Sequence, residues 1–146
     1  MSSPDKPGET FRITETIARP AADVFGALTQ PGELAQYFLN SANSSPLDTR
    51  EISWWLTEQQ VMHLQLAALR SEQMLEFRWR PPELSDPITL RFELTDQGKR
   101  TTLAISESGW PDSAFTRRQS YGHCLLWQKM ALQLKAWLEH GIDLRS

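Results

Sequence analysis

Three polar residues occupy positions where the surrounding pattern predicts apolar side chains. Glu15 and Glu107 each continue the apolar side of an alternating segment, and His123 stands one helical turn before Trp127. A carboxylate on a buried face is costly unless it is paired or solvated. A carboxylate and an imidazole in contact can act as general base and acid. In a cavity, the same residues would form the polar end of a binding pocket.

Each of these residues also has a structural interpretation. The strand of Glu107 would leave the sheet by Ser106, Glu15 would pair with a neighbouring arginine, and His123 would be a solvated residue near a helix start. The sequence leaves these alternatives open.

Established catalytic and metal-binding motifs are absent from the sequence. It contains no Gly-x-Ser-x-Gly elbow, no glycine-rich phosphate loop and no Cys/His pattern with metal spacing. Cys124 follows His123, but adjacent helical residues point about 100° apart, which disfavours a thiol–imidazole pair. We therefore assign no catalytic residue, and we expect neither a metal nor a cofactor.

Length and charge narrow the class of protein. The chain has 146 residues, with 15 Lys and Arg against 18 Asp and Glu, a net charge of −3. This size fits one domain, predicted over residues 11–146 after a flexible tail at 1–10. The charge balance argues against nucleic-acid binding, which normally requires a basic surface.

The sequence contains no targeting or membrane signal. The first ten residues include no apolar run of the kind found in signal peptides, and no stretch approaches the roughly 18 apolar residues of a membrane helix. The single cysteine, Cys124, cannot form an internal disulfide. We therefore expect a cytoplasmic protein without a membrane span.

Periodicity predicts six strands and three helices. The alternation of apolar and polar residues typical of strands occurs at 11–17, 50–57, 60–70, 73–80, 88–94 and 100–107. Two short helices follow the first strand, one over 21–28 and one capped by Thr29 with Pro31 in its first turn. Residues 41–49 have the composition of a loop, and Leu64–Leu69 alone would also fit a helix.

The last quarter of the chain predicts one long helix over residues 115–140. Its apolar residues follow the i, i+3, i+4, i+7 spacing of one helix face, and Gly141 stands where the helix should end. An antiparallel sheet with one apolar face needs a cover, and this helix is the only element long enough to supply it. The predicted fold is therefore α+β, a curved antiparallel sheet of about six strands wrapped on a long C-terminal helix.

Four stretches of the sequence resemble a known family. They are residues 17–34, the strand 75–79, the strand end 102–109 and the helix 127–141. In this order and spacing they are similar to the activator of Hsp90 ATPase homologue-like branch of the SRPBCC superfamily, also called START-like or Bet v 1-like, whose fold is the helix grip.

The resemblance implies a non-catalytic protein that binds a small hydrophobic or amphipathic ligand between sheet and helix. It also implies two alternatives, a chaperone-activating protein for an Hsp90-type partner and a cyclase- or hydrolase-type enzyme with a Glu/His pair. The predicted ligand-binding residues are Phe38, Trp54, Phe77, Trp79, Phe92, Glu107, His123, Trp127, Met130 and Leu134.

Five of the six tryptophans divide by phase, and the sixth, Trp137, is expected to close the far end of the long helix against the sheet. Trp54, Trp79 and Trp127 fall on the buried faces and are expected to touch the interior or a ligand. Trp55 and Trp110 fall outside this pattern and are expected at a rim or partner surface, which makes a homodimer one possibility.

Overall fold

The computed structural model describes residues 9–146, so the predicted tail lies outside the described residues except for Glu9 and Thr10, which begin the first strand. The elements are β1 (Glu9–Ile17), α1 (Ala21–Thr29), α2 (Pro31–Tyr37), β2 (Ser41–Ala42), β3 (Glu51–Trp55), β4 (Val61–Arg70), β5 (Met74–Trp79), β6 (Ile88–Asp96), β7 (Thr101–Ser108) and α3 (Ala114–His140).

The strands form one antiparallel sheet in the order β1-β7-β6-β5-β4-β3-β2, so the predicted helix-grip architecture is confirmed. The described part has seven strands rather than six, because Ser41 and Ala42, predicted as loop, pair with Trp55 and Trp54 of β3. A two-residue edge strand is too short to show a period in the sequence.

The alternation of β4 is loose because the strand contains an irregularity. Its register against β5 shifts between Leu66 and Ala68. A bulge inserts one extra residue and changes which side chains point inward. This explains why Leu64–Leu69 also fitted a helical pattern, although the whole segment is a strand.

The junction of the two short helices differs from the prediction. Thr29 does not cap α2; it is the last residue of α1, is fully buried, and its hydroxyl donates to the carbonyl of Phe25 at 2.8 Å. Gln30 occupies the N-cap position of α2 without a side-chain hydrogen bond, and Pro31 begins that helix as predicted.

The long helix α3 begins and ends at residues suited to these positions. The Ser113 hydroxyl accepts the backbone N–H of Thr116 at 3.1 Å, which satisfies one free donor of the first turn. Gly141 ends the helix with φ +67°, a left-handed conformation that glycine adopts without cost. At the same end, Glu139 accepts the backbone N–H of Ala18 at 2.7 Å, which ties α3 to the end of β1.

The interior between sheet and α3 is filled by aromatic rings. Trp54 contacts Phe38, Phe77 and Phe92 with ring centroids 5.9–6.3 Å apart, and Trp127 lies 5.9 Å from Phe92. Each of the five is at most 7% exposed. These are ordinary core spacings for aromatic pairs, so the centre of the helix grip is a packed core. No helix within residues 9–146 combines the length and apolar character needed to cross a membrane.

Candidate functional site

A buried carboxylate lies at one end of this core. Glu107 is fully buried on β7, where it pairs with Leu90 of β6 and Phe11 of β1. β7 stays in the sheet until Ser108, so the alternative in which the strand leaves the sheet by Ser106 is wrong. Because side chains alternate along a strand, Glu107 points to the same interior side as Leu103 and Ile105.

Three N–H groups surround the Glu107 carboxylate. Oε2 accepts the indole N–H of Trp127 at 2.7 Å and lies 3.1 Å from Nδ1 of His123, and Oε1 accepts the indole N–H of Trp110 at 2.8 Å. A carboxylate can be buried when hydrogen bonds replace its hydration. The structure thus brings Glu107 and His123 into contact, as the hypothesis of a Glu/His pair required.

His123 contacts two tryptophan rings and lies near two carboxylates. Its ring stacks on Trp79, with centroids 5.5 Å apart, and meets the edge of Trp110 at 4.8 Å. Nδ1 faces Glu107, and Nε2 lies 3.6 Å from a carboxylate oxygen of Glu83. The interpretation of His123 as a solvated boundary residue is wrong, because the residue is only 9% exposed.

The surroundings of His123 favour its protonated form. Burial lowers its pKa, but the hydrogen bond and negative charge of Glu107, with a further contribution from Glu83, outweigh burial and raise the pKa above its usual value. The Trp79 ring, which stacks on the imidazolium, adds cation–π attraction. We therefore expect His123 to carry more positive charge near neutral pH than an exposed histidine.

Trp110 belongs to this cluster, contrary to the prediction. It was expected at a rim or partner surface, but it is 9% exposed and donates to Glu107. Its position in a loop explains the error, since a loop has no period from which burial can be inferred. A weak signal was its place three residues after Glu107, within reach of that carboxylate.

A groove opens beside His123. It has a volume of about 450 Å³ and lies between the β3–β4 turn, the β5–β6 loop and α3. Its apolar walls come from Leu56, Val61, Met62, Trp79, Pro82 and Leu126. Its polar groups come from Gln59, Gln60, Glu83 and His123. This combination of size and lining is typical of small-molecule sites.

The other predicted ligand-binding residues lie deeper. Phe38, Trp54, Phe77, Phe92 and Trp127 form the aromatic core described above, and Met130 and Leu134 are fully buried in the same cluster. Trp79 and His123 border the groove, and Glu107 lies directly behind His123. The site is thus at one end of the sheet–helix interface rather than along its whole length.

Glu15 does not join this site. It is half-buried on β1 opposite Leu103, and it makes no hydrogen bond or ion pair with the residues from 9 to 146. The suggested pairing of Glu15 with a neighbouring arginine is therefore not observed.

One buried donor beside the groove has no partner among the described residues. The indole N–H of Trp79 is inaccessible and makes no hydrogen bond, and the same is true of Trp54 in the core. A buried donor without an acceptor costs about 1–3 kcal/mol.

Metal and thiol chemistry have no geometric support within residues 9–146. No group of three His, Cys, Asp or Glu side chains in that range could hold a metal ion. Cys124 is half-buried, and burial together with the charge of Glu107 raises the pKa of its thiol. A thiol with a raised pKa is a poor nucleophile at neutral pH.

A family model covers most of this chain. Residues 18–139 match the model described as Activator of Hsp90 ATPase homolog 1-like protein. The chain belongs to this family. The resemblance inferred from the four sequence stretches is therefore confirmed. None of the curated proteins matches the chain in sequence.

Solved structures share the fold at low sequence identity. DynU16, from the dynemicin biosynthetic locus, is 20% identical with a TM-score of 0.75; the match covers 89% of this chain and 47% of DynU16, so the chain spans about half of that protein. SSP2350 from Staphylococcus saprophyticus is 22% identical with a TM-score of 0.71, over 93% and 97% of the two chains.

An Hsp90 activator from Plasmodium falciparum, PFC0360w, is 16% identical with a TM-score of 0.63. That match covers 84% of this chain and 93% of the activator. At these identities the three likenesses establish the fold alone.

Proposed function

We propose that this family member binds a small amphipathic molecule in the groove beside His123. The observation that carries the proposal is a buried Glu107–His123 pair, in hydrogen-bond contact at 3.1 Å, whose histidine borders a groove with apolar walls. Side chains that only fill a core do not need a charged pair at its edge, because burying charge costs free energy.

The lining of the groove defines the chemistry of the ligand. The apolar body would lie against Met62, Trp79 and Leu126, and a polar end would meet His123 and Glu83. Protonated His123 offers an N–H at Nε2, whereas Glu83 accepts hydrogen bonds. A neutral hydroxyl or phenol suits both groups, since it can donate and accept at once.

Native mass spectrometry of freshly purified protein tests the proposal. We expect a bound small molecule that is lost on denaturation. The groove-filling variant Leu126→Trp should lose it, whereas Leu47→Trp, at an exposed position outside the groove, should retain it. A protein that carries no ligand and takes up none from a panel of amphipathic phenols at up to about 1 mM would contradict the proposal.

Proton transfer is a second candidate function, favoured by the 3.1 Å contact between Glu107 and His123. A carboxylate on Nδ1 fixes the tautomer of neutral histidine, so that Nε2 beside the groove can act as a base. An ester probe such as 4-nitrophenyl acetate tests this role. Hydrolysis that His123→Gln slows by roughly a hundredfold would support it, and an unchanged rate would exclude His123 as the base.

A chaperone-activating role is a third candidate, supported by the family description and by the Hsp90 activator that shares the fold. The test is ATP hydrolysis by an Hsp90-type chaperone at saturating concentrations of this protein. Stimulation would favour this role, and an unchanged rate would remove it.

A further inference from the structure

The outer face of α3 carries large apolar side chains that no other described element covers. Tyr121, Leu125 and Leu132 expose 60%, 72% and 44% of their surface. These three residues are four and seven positions apart, so at 100° per residue they lie along one side of the helix, hereafter the outer stripe. Phe115, 61% exposed, lies near its N-terminal end. Such a stripe resembles the apolar side that a helix presents to another helix.

The charge of α3 is opposite to that of the whole chain. The helix contains four Arg or Lys residues and one carboxylate, Glu139, whereas the chain has a net charge of −3. Glu139 lies in the last turn and is paired with Lys135. The helix therefore presents no carboxylate along the outer stripe.

Two of the cations lie on the outer stripe itself. Arg118 precedes Tyr121 by three residues, and Lys129 follows Leu125 by four, so both are neighbours of the apolar side chains. Both are exposed, and neither forms an ion pair within residues 9–146. By contrast, Arg117 is held by Asp112 at 2.7 Å.

A glycine lies beside the outer stripe where no turn requires one. Gly122 is exposed inside α3, and a Cβ at this position would meet no atom within 4 Å. Glycine in a helix interior costs about 0.5–1 kcal/mol relative to alanine. Nothing packed against Gly122 within residues 9–146 compensates that cost, and the missing side chain leaves a notch beside Leu125.

We propose that the outer stripe binds an acidic amphipathic helix of another protein. Leucine-like side chains of the partner would pack on Tyr121, Leu125 and Leu132, and its flanking carboxylates would pair with Arg118 and Lys129. A second copy of this chain fits less well, because two outer stripes in contact would bring cations against cations. Helix-in-groove recognition with matched apolar anchors is an established binding mode.

A displayed library of helical peptides tests the proposal. Apolar positions are fixed at the i, i+4, i+11 spacing, and the flanking positions vary between Glu and Lys. With the full chain as bait, we expect selected peptides to carry Glu at the flanks. The Arg118→Glu/Lys129→Glu variant should select Lys instead. Binding of selected peptides should fall about tenfold or more for Leu125→Asp, and Leu47→Asp should bind like the wild type.

Three results would overturn the proposal. The first is equal use of Glu and Lys in peptides selected by the wild type, and the second is the absence of any peptide whose binding depends on Leu125. The third is a wild-type dimer in sedimentation equilibrium that Leu125→Asp dissociates, because a second copy would then cover the outer stripe. Circular dichroism of each variant establishes that a loss of binding does not reflect unfolding.

Discussion

At the scale of single residues, Glu107 organises the site. Its two oxygens accept from Trp110 and Trp127 and face His123 from below the groove, while the residue itself is fully buried. The carboxylate therefore sets the orientation of three aromatic side chains at once. Removing its acceptor capacity should affect the packing of all three.

Glu107→Gln tests this role. An amide has one acceptor oxygen and one NH₂ group, so at least one surrounding N–H would face another donor. We expect the free energy of unfolding, measured by urea denaturation, to fall by about 2–4 kcal/mol. Glu15→Gln is the control, since Glu15 makes no hydrogen bond or ion pair with the described residues; a fall of under about 0.5 kcal/mol is expected there. Equal effects of the two changes would contradict this role.

The charge of His123 should be visible as a pH dependence of stability. Its folded pKa lies above the unfolded value near 6.5 because Glu107 and Glu83 outweigh burial. The stabilisation is thus fully present below about pH 6.5 and is lost as the pH rises through the folded pKa. The difference in unfolding free energy between wild type and His123→Gln should therefore be constant below about pH 6.5 and shrink as the pH rises above that value. If this free-energy difference instead grew with rising pH, the pKa of His123 would be lowered by folding and not raised.

The periodicity of the sequence predicted two members of this cluster. Glu107 and His123 were found because both are polar residues on apolar faces, a pattern with few physical explanations. Trp110 and Glu83 were missed because both lie in loops, where no repeat relates sequence position to direction. The unpaired indole N–H of Trp79 could not be predicted either, since hydrogen-bond satisfaction depends on neighbours distant in the chain.

At the scale of elements, α3 and the strands were predicted best, because long periodic segments average over individual residues. The errors lie at junctions: the two-residue β2, the bulge in β4 and the start of α2. At each of these places one or two residues decide the backbone path. The cap of α3 by Ser113 is of the same kind and was not predicted.

The start of α3 provides a test at this scale. Ser113→Ala removes the acceptor of the Thr116 N–H, and we expect it to cost about 1 kcal/mol in urea denaturation. Ser44→Ala, in the loop after β2, serves as the matched change and should cost little. A loss below about 0.3 kcal/mol for Ser113→Ala would contradict a stabilising role of this cap.

At the scale of the whole molecule, the aromatic core fills the centre of the sheet–helix interface. The groove lies at one end of this core, beside Glu107 and His123. Trp127 connects the two, since its ring packs between Phe38 and Phe92 while its N–H reaches Glu107. Loss of this side chain should therefore disturb both the core and the site.

Trp127→Ala should lower the free energy of unfolding by about 3–5 kcal/mol, because it creates a large cavity and leaves Glu107 with one donor fewer. Trp137→Ala is the control; Trp137 is half-buried at the margin of the core and donates to Glu33 at 3.4 Å, and a smaller loss is expected. A cost below about 1 kcal/mol for Trp127→Ala would mean that its ring borders open space instead of a packed core.

Binding of a small amphipathic molecule in the groove beside His123 can be followed through the six indole N–H signals in ¹⁵N-correlated NMR spectra. On titration with 2-naphthol, a neutral amphipathic phenol, we expect saturable shifts of the Trp79 and Trp110 signals, no change at Trp137, and loss of these shifts in Leu126→Trp. The absence of shifts, or shifts that are largest at Trp137 and persist in Leu126→Trp, would contradict binding in this groove.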